Sequence, residues 1–185
     1  MDTLLDILGA SFVGGMVLLI VVNIYIFSSQ KRIASSADLR LQQNAKTLAE
    51  IVNNDLRKVG FKYNGTAIVT ADSEKFSFYA DIDSNGTTDQ ITYLISDTTE
   101  AMGTINPHDK VLLRVVNSDT SKGPSLGLTK LKFSYRDIND NLTSVLDSIK
   151  YINIEMWMET TEPVDNTYPF TYWEMKVNPR NINYN

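Results

Sequence analysis

The hydrophobic and polar positions change their rhythm twice along the chain. From Ile7 to Phe27 it reads ILGASFVGGMVLLIVVNIYIF, without a charge and with Asn23 as its one strongly polar side chain. A helix needs about 20 apolar residues to cross a hydrocarbon core of roughly 30 Å, and this run is long enough. No basic n-region precedes it and no small-residue cleavage site follows it, which sets it apart from a secretory signal peptide. After Ser28 and Ser29 the pattern stays helical and turns amphipathic. Ile33, Ala37, Leu41, Ala45, Leu48, Val52, Leu56 and Val59 recur every three or four residues and fall on one stripe. Gly60 is the natural stop after Arg57 and Lys58. A helix from Thr3 to Val59 would measure about 85 Å at 1.5 Å per residue.

Beyond Gly60 the period becomes two. Phe76, Phe78 and Ala80 share one face of a strand, opposite Lys75, Ser77 and Tyr79. Further alternating or apolar runs are Ile91/Tyr93/Ile95, Val111 to Val116, Leu131/Phe133/Tyr135, Ile152/Ile154/Met156/Met158 and Trp173/Met175/Val177. Turn signals separate them at Ser84–Gly86, Asn106–Pro107, Lys122–Pro124, Asp137–Asn141 and Pro163–Pro169. Strands with one apolar face and short turns predict an antiparallel sheet, and the helix stripe is its natural cover. The expected fold is α+β: a long N-terminal hydrophobic then amphipathic helix packed on an antiparallel sheet. Its parts are 1–29, a transmembrane or filament-core helix; 30–60, the amphipathic continuation; and 61–185, a β-rich domain.

Composition narrows the chemistry. Among 185 residues there is no cysteine and one histidine, so thiol catalysis, disulfides and multi-histidine metal sites are excluded. A net charge of −5 opposes a nucleic-acid partner. No Gly-rich phosphate loop and no Ser-His-Asp arrangement is present, His108 lying in an Asn-Pro-His-Asp loop, and the chain reads as a non-enzyme. Three constellations remain. Gly9, Ala10, Ser11, Gly14 and Gly15 are small residues that let helices approach closely in lipid, although glycine is common in membrane helices without that role. Asp81, Asp83, Asn85, Thr87 and Asp89 fit the first nine positions of a D-x-D-x-N-G-x-x-D calcium loop, Thr87 through its carbonyl, although Thr92 stands where the closing Glu belongs. The same residues also favour a plain hairpin turn. Trp157, Tyr151, Tyr168, Tyr172 and Trp173 are candidates for an aromatic contact surface, with sheet packing as the simpler account.

Several stretches in this order resemble the type IV pilin superfamily, in particular PilW-like minor pilins and the J-type pseudopilins of type II secretion. Thr3-Leu4-Leu5-Asp6 is similar to the T-L-x-E step of mature pilins. Leu41-Gln-Gln-Asn-Ala45 and Asn54-Asp-Leu-Arg-Lys-Val-Gly60 resemble the "QxNAR…RDLRxAGF" stretch. Phe78 to Tyr93 is similar to the acidic hairpin, and Asn178-Pro-Arg-Asn181 to the ending. The resemblance implies a pilin-like roll that serves as a structural filament subunit, held in the bacterial inner membrane and then assembled, by a pilus or secretion machinery, into a homo- or hetero-oligomeric surface or periplasm-spanning filament. It also implies that an acidic residue near the helix start pairs with the N-terminal amine of the neighbouring subunit. Prepilins carry a basic leader ahead of the helix; here Met1 alone precedes Asp2, and with Asp2 in the first mature position Asp6 takes the place of the family's glutamate. Asp2 and Asp6 at a helix start also suit its dipole without any partner. Lys31 and Arg32, directly after the apolar run, favour a cytoplasmic side, a charge bias that a basic leader would offset. The alternative function is a singly membrane-anchored binding module that does not polymerise.

Overall fold

A computed structural model of the chain describes residues 2–182, with Asp2 described through its backbone alone. The chain forms two compact units, Met1–Asp38 and Leu39–Asn185. Helix α1, Asp2–Leu56, supplies the described part of the first unit and opens the second. From Thr3 to Ser28 every side chain is exposed, among them Leu4 at 67% and Phe12 at 70%. The absence of Gly and Pro between Met16 and Val59 leaves the helix uninterrupted.

In the second unit the helix buries Leu41, Ala45, Leu48, Ala49, Val52 and Leu56. All but Ala49 belong to the expected stripe from Leu41 onward; in the first unit Ile33 is exposed and Ala37 half-buried. Each buried leucine contributes about 2 kcal/mol by leaving water. The helix ends three residues before Val59. Asp55 and Leu56 accept bonds from the Lys58 and Val59 amides at 2.9 and 3.3 Å, which tightens the backbone into turns through Lys62. Gly60 follows at φ 78°, where a Cβ would stand 2.6 Å from the Asn181 carbonyl oxygen. Only glycine accepts both the conformation and the approach.

The strands are β1 Ile68–Ala71, β2 Lys75–Ala80, β3 Asp89–Ile95, β4 Leu112–Val116, β5 Asp119–Lys122, β6 Leu128–Arg136, β7 Tyr151–Glu159 and β8 Phe170–Val177. They form two sheets, β1-β2-β3-β4-β5 and β6-β7-β8, in which every neighbouring pair is antiparallel. The sequence pattern points to one sheet. The division falls at Gly123–Gly127, where Pro124 has no amide hydrogen and Gly127 lies at φ 89° against the Glu159 carbonyl. Two backbone bonds among the described residues bring the sheets together, Phe133 N to Ser73 O and Lys110 N to Leu128 O, each 2.7 Å. Helix stripe and both inner faces then close one core, with Phe76, Phe78, Tyr93, Phe133, Ile152 and Ile154 at its centre. The fold is α+β, a helix on antiparallel sheets.

Candidate functional site

The first candidate surface is the exposed helix of the first unit. Helix α1 is long and apolar enough to cross a membrane, and the apolar window itself has no buried residue. Asp6 is exposed near its start, while the side chain of Asp2 lies outside what the structure describes. A Cβ placed on Gly9, Gly14 or Gly15 meets nothing within 4 Å. Their glycine identity therefore answers no packing demand inside the chain. Ser11 returns its hydroxyl to the Ile7 carbonyl at 2.8 Å, which satisfies a polar group within the helix itself.

The second candidate is the loop joining β2 to β3. Asp81 is buried, and its Oδ2 accepts from Lys62 Nζ at 2.9 Å and the Gly86 amide at 3.0 Å. The bond from the Lys62 ammonium, opposed by burial and helped by Gly86, holds the Asp81 carboxyl below the usual carboxylate range. Asp83 turns back onto Asn85, accepting from its backbone and side-chain nitrogens at 3.1 and 2.8 Å. Asn85 Oδ1 accepts the Thr87 amide at 2.7 Å and also the Thr87 hydroxyl. Asp89 accepts from Asn117 Nδ2 at 2.9 Å, at the β4–β5 turn. Asp83 and Asn85 thus build successive Asx turns beside Gly86, which has φ 89°, while Asp81 holds the Gly86 amide and Asp89 is tied to the β4–β5 turn. Among the described residues no group of three or more acidic, histidine or cysteine side chains gathers as a metal cage. Within this loop the Asp81 Oδ1 atom is buried without a hydrogen-bond partner.

Sequence reasoning missed the buried polar centre of the second unit. Asp55, 6% exposed, accepts from Tyr93 Oη and from Arg114 Nε at 2.6 Å each, so α1, β3 and β4 meet on one carboxylate. Burial, then the Asp55 charge, raises the Tyr93 pKa far above its ordinary value. Burial lowers that of Arg114, but the bond and charge of Asp55 outweigh it and the pKa rises. The signal was present: Asp55 stands three residues after Val52 and seven after Leu48, on the buried stripe.

Asp109 is also buried, with neither carboxylate oxygen hydrogen-bonded within ordinary geometry, and burial raises its pKa. His108 sits in an exposed loop, as its sequence setting suggests, with Nδ1 3.0 Å from Glu159 Oε2. The aromatic candidates separate. Trp173 packs against the core. Trp157 and Tyr172 meet on the outer face of β7 and β8 with ring centroids 5.1 Å apart, and Lys130 lies over Trp157. Burial and the bond to Glu174 push the Tyr172 hydroxyl up to about 12. Tyr151 lies under the Lys176 ammonium, and Tyr168 meets the His108 ring edge.

No family model matches the chain. No curated protein and no solved structure matches it either. The functional reading therefore rests on the residues themselves, and on the helix surface above all.

Proposed function

We propose that the chain is a structural subunit of a type IV pilus-like or pseudopilus filament, assembled through its N-terminal helix. The observation that carries this reading is a wholly exposed apolar helix surface, Thr3 to Ser28, on a chain whose second unit closes its own core. Withdrawing those side chains from water is worth on the order of tens of kcal/mol, so the surface requires a cover. Lipid supplies it first and neighbouring helices supply it in the polymer. Between helices in lipid there is no hydrophobic gain, and close packing at small residues decides association. Gly9, Gly14 and Gly15, open in the single chain, take that role here. Asp6 places a carboxylate at the edge of the apolar run, where it needs a positive partner; the N-terminal amine of the next subunit provides one. The subunit is stored in a bacterial inner membrane and moves to a surface or periplasm-spanning fibre, with no catalytic step and no nucleic acid.

Shearing cells without detergent, then analysing the released fibres by mass spectrometry, tests this. The chain is expected in the fibre fraction, and Asp6→Ala is expected to lower its yield there. Retention of the unsubstituted chain in the membrane fraction overturns the proposal and favours a singly anchored binding module.

A further inference from the structure

We infer that the Asn64–Gly65 step, in the connection from α1 to β1, is a site of spontaneous covalent modification, where the asparagine side chain cyclises onto the glycine nitrogen and reopens as aspartate or isoaspartate. The chain contains two Asn-Gly dipeptides, Asn64–Gly65 and Asn85–Gly86, and both asparagines are exposed. A glycine carries no side chain to shield its nitrogen from the preceding Cγ, so by sequence both steps are equally labile. The structure separates them.

At the second step the reacting groups are tied down. Gly86 N donates to Asp81 Oδ2 at 3.0 Å, and that carboxylate is buried. Removing the Gly86 proton would give up a bond to a charged acceptor and leave one anion facing another. The Asn85 side chain is held at both of its polar atoms. Its Nδ2 donates to Asp83 Oδ2 at 2.8 Å, and its Oδ1 accepts the Thr87 amide at 2.7 Å. Asn85 Cγ reaches the Gly86 nitrogen only after those bonds break.

At the first step neither restraint is present. Among the described residues the Asn64 side chain and the Gly65 amide make no hydrogen bond. The open segment is short, because the chain is anchored on both sides of it. Before it, the Phe61 carbonyl accepts Asp81 N at 3.0 Å, and the Tyr63 ring meets Tyr79 with centroids 4.9 Å apart. After it, Thr66 Oγ1 donates to Asp147 Oδ1 at 2.9 Å, and the Ala67 carbonyl accepts Tyr79 N at 2.8 Å. Gly65 lies at φ 151°, with the Tyr63 ring 3.2 Å from where a Cβ would stand. The loop therefore requires the very residue that makes the step labile.

The chemistry needs only water. Hydroxide takes the Gly65 amide proton, the nitrogen bonds to Asn64 Cγ, and the Cγ–Nδ2 bond breaks with release of ammonia. Water then opens the cyclic imide. Cleavage at Cγ gives aspartate, whereas cleavage of the original peptide bond gives isoaspartate, with the main chain rerouted through the former side chain. One water is consumed and one ammonia released, and nothing is oxidised or reduced. Either product adds a negative charge to a chain of net charge −5. Isoaspartate also inserts one extra main-chain carbon between the two anchors, a permanent mark of the molecule's age.

Full-length chain in detergent, aged in mildly alkaline buffer made with heavy-oxygen water and then digested in ordinary water, tests this by peptide mass spectrometry. A heavy oxygen at the modified residue excludes change during digestion. In the folded chain Asn64 is expected to take up label about tenfold or more faster than Asn85. In denaturant the two rates are expected to converge, since the Asp81, Asp83 and Thr87 bonds are gone. Asn64→Gln, whose longer side chain closes the ring poorly, is expected to remove the label from its peptide. Equal rates in the folded chain, an unlabelled Asn64 in the folded chain, or a rate ratio that survives unfolding each overturns the inference.

Discussion

Asp55 places a charge on the buried stripe of α1, and Tyr93 and Arg114 are the donors that balance it. Asp55→Ala leaves a guanidinium and a phenol stranded in a mostly dry site, a loss of about 3 kcal/mol. Thermal unfolding of the full chain in detergent, followed by circular dichroism, should show that loss as a lowered midpoint. Asp109 behaves in the opposite sense. Its folded pKa lies above its unfolded one, so stability is highest at low pH and declines as pH rises from the ordinary carboxylate value toward the folded one. Asp109→Asn should therefore melt higher than the parent chain at neutral pH and equal it near pH 3. Asp81 is depressed by Lys62, so its contribution is present above the ordinary carboxylate pKa and disappears as pH falls through the folded value. The ammonium also occupies the carboxylate that a loop-bound calcium ion would need. Calcium should consequently bind the Lys62→Ala chain more tightly than the parent in calorimetric titration, and equal affinities would remove Asp81 from any calcium site. At this scale the sequence was only partly readable: Asp81 to Asp89 announced a turn through Asp, Asn and Gly, whereas the Lys62 and Arg114 pairings join residues distant in the chain and leave no local pattern.

Helix α1 and six of the strands were visible because each has an apolar face with its own period. The two strands that escaped notice lack such a face. Strand β5 reads Asp-Thr-Ser-Lys and is exposed at every position, while β1 is four residues long. The division into two sheets escaped as well, since alternation reports which face is buried and says nothing about which edges join. Glycines show the same contrast between local and distant causes. Gly127→Ala would bring a Cβ to 1.9 Å from the Glu159 carbonyl oxygen at positive φ, and should cost about 3 kcal/mol in thermal unfolding. Gly14→Ile meets no atom of its own chain. It should leave the melting of the second unit unchanged while reducing recovery of sheared fibres, a combination that isolates an intermolecular contact.

The core draws its buried hydrophobic side chains from Leu41 onward, so residues 39–185 contain the second unit's whole set of buried apolar groups. Released from residues 1–38, that fragment should be soluble without detergent and unfold in one cooperative step, as chromatography and circular dichroism can check. Between the exposed apolar run and the first buried leucine, residues 29–38 are helical with no side chain fully buried. Mechanical load passing along the chain must cross this stretch, which has the helix's own hydrogen bonds and no packed core to resist extension. It is the natural place to yield first under tension. Pulling those residues from 1.5 to about 3.3 Å apiece adds roughly 18 Å per subunit. A fibre built from such units would lengthen under force, then recoil, before any β-sheet opened.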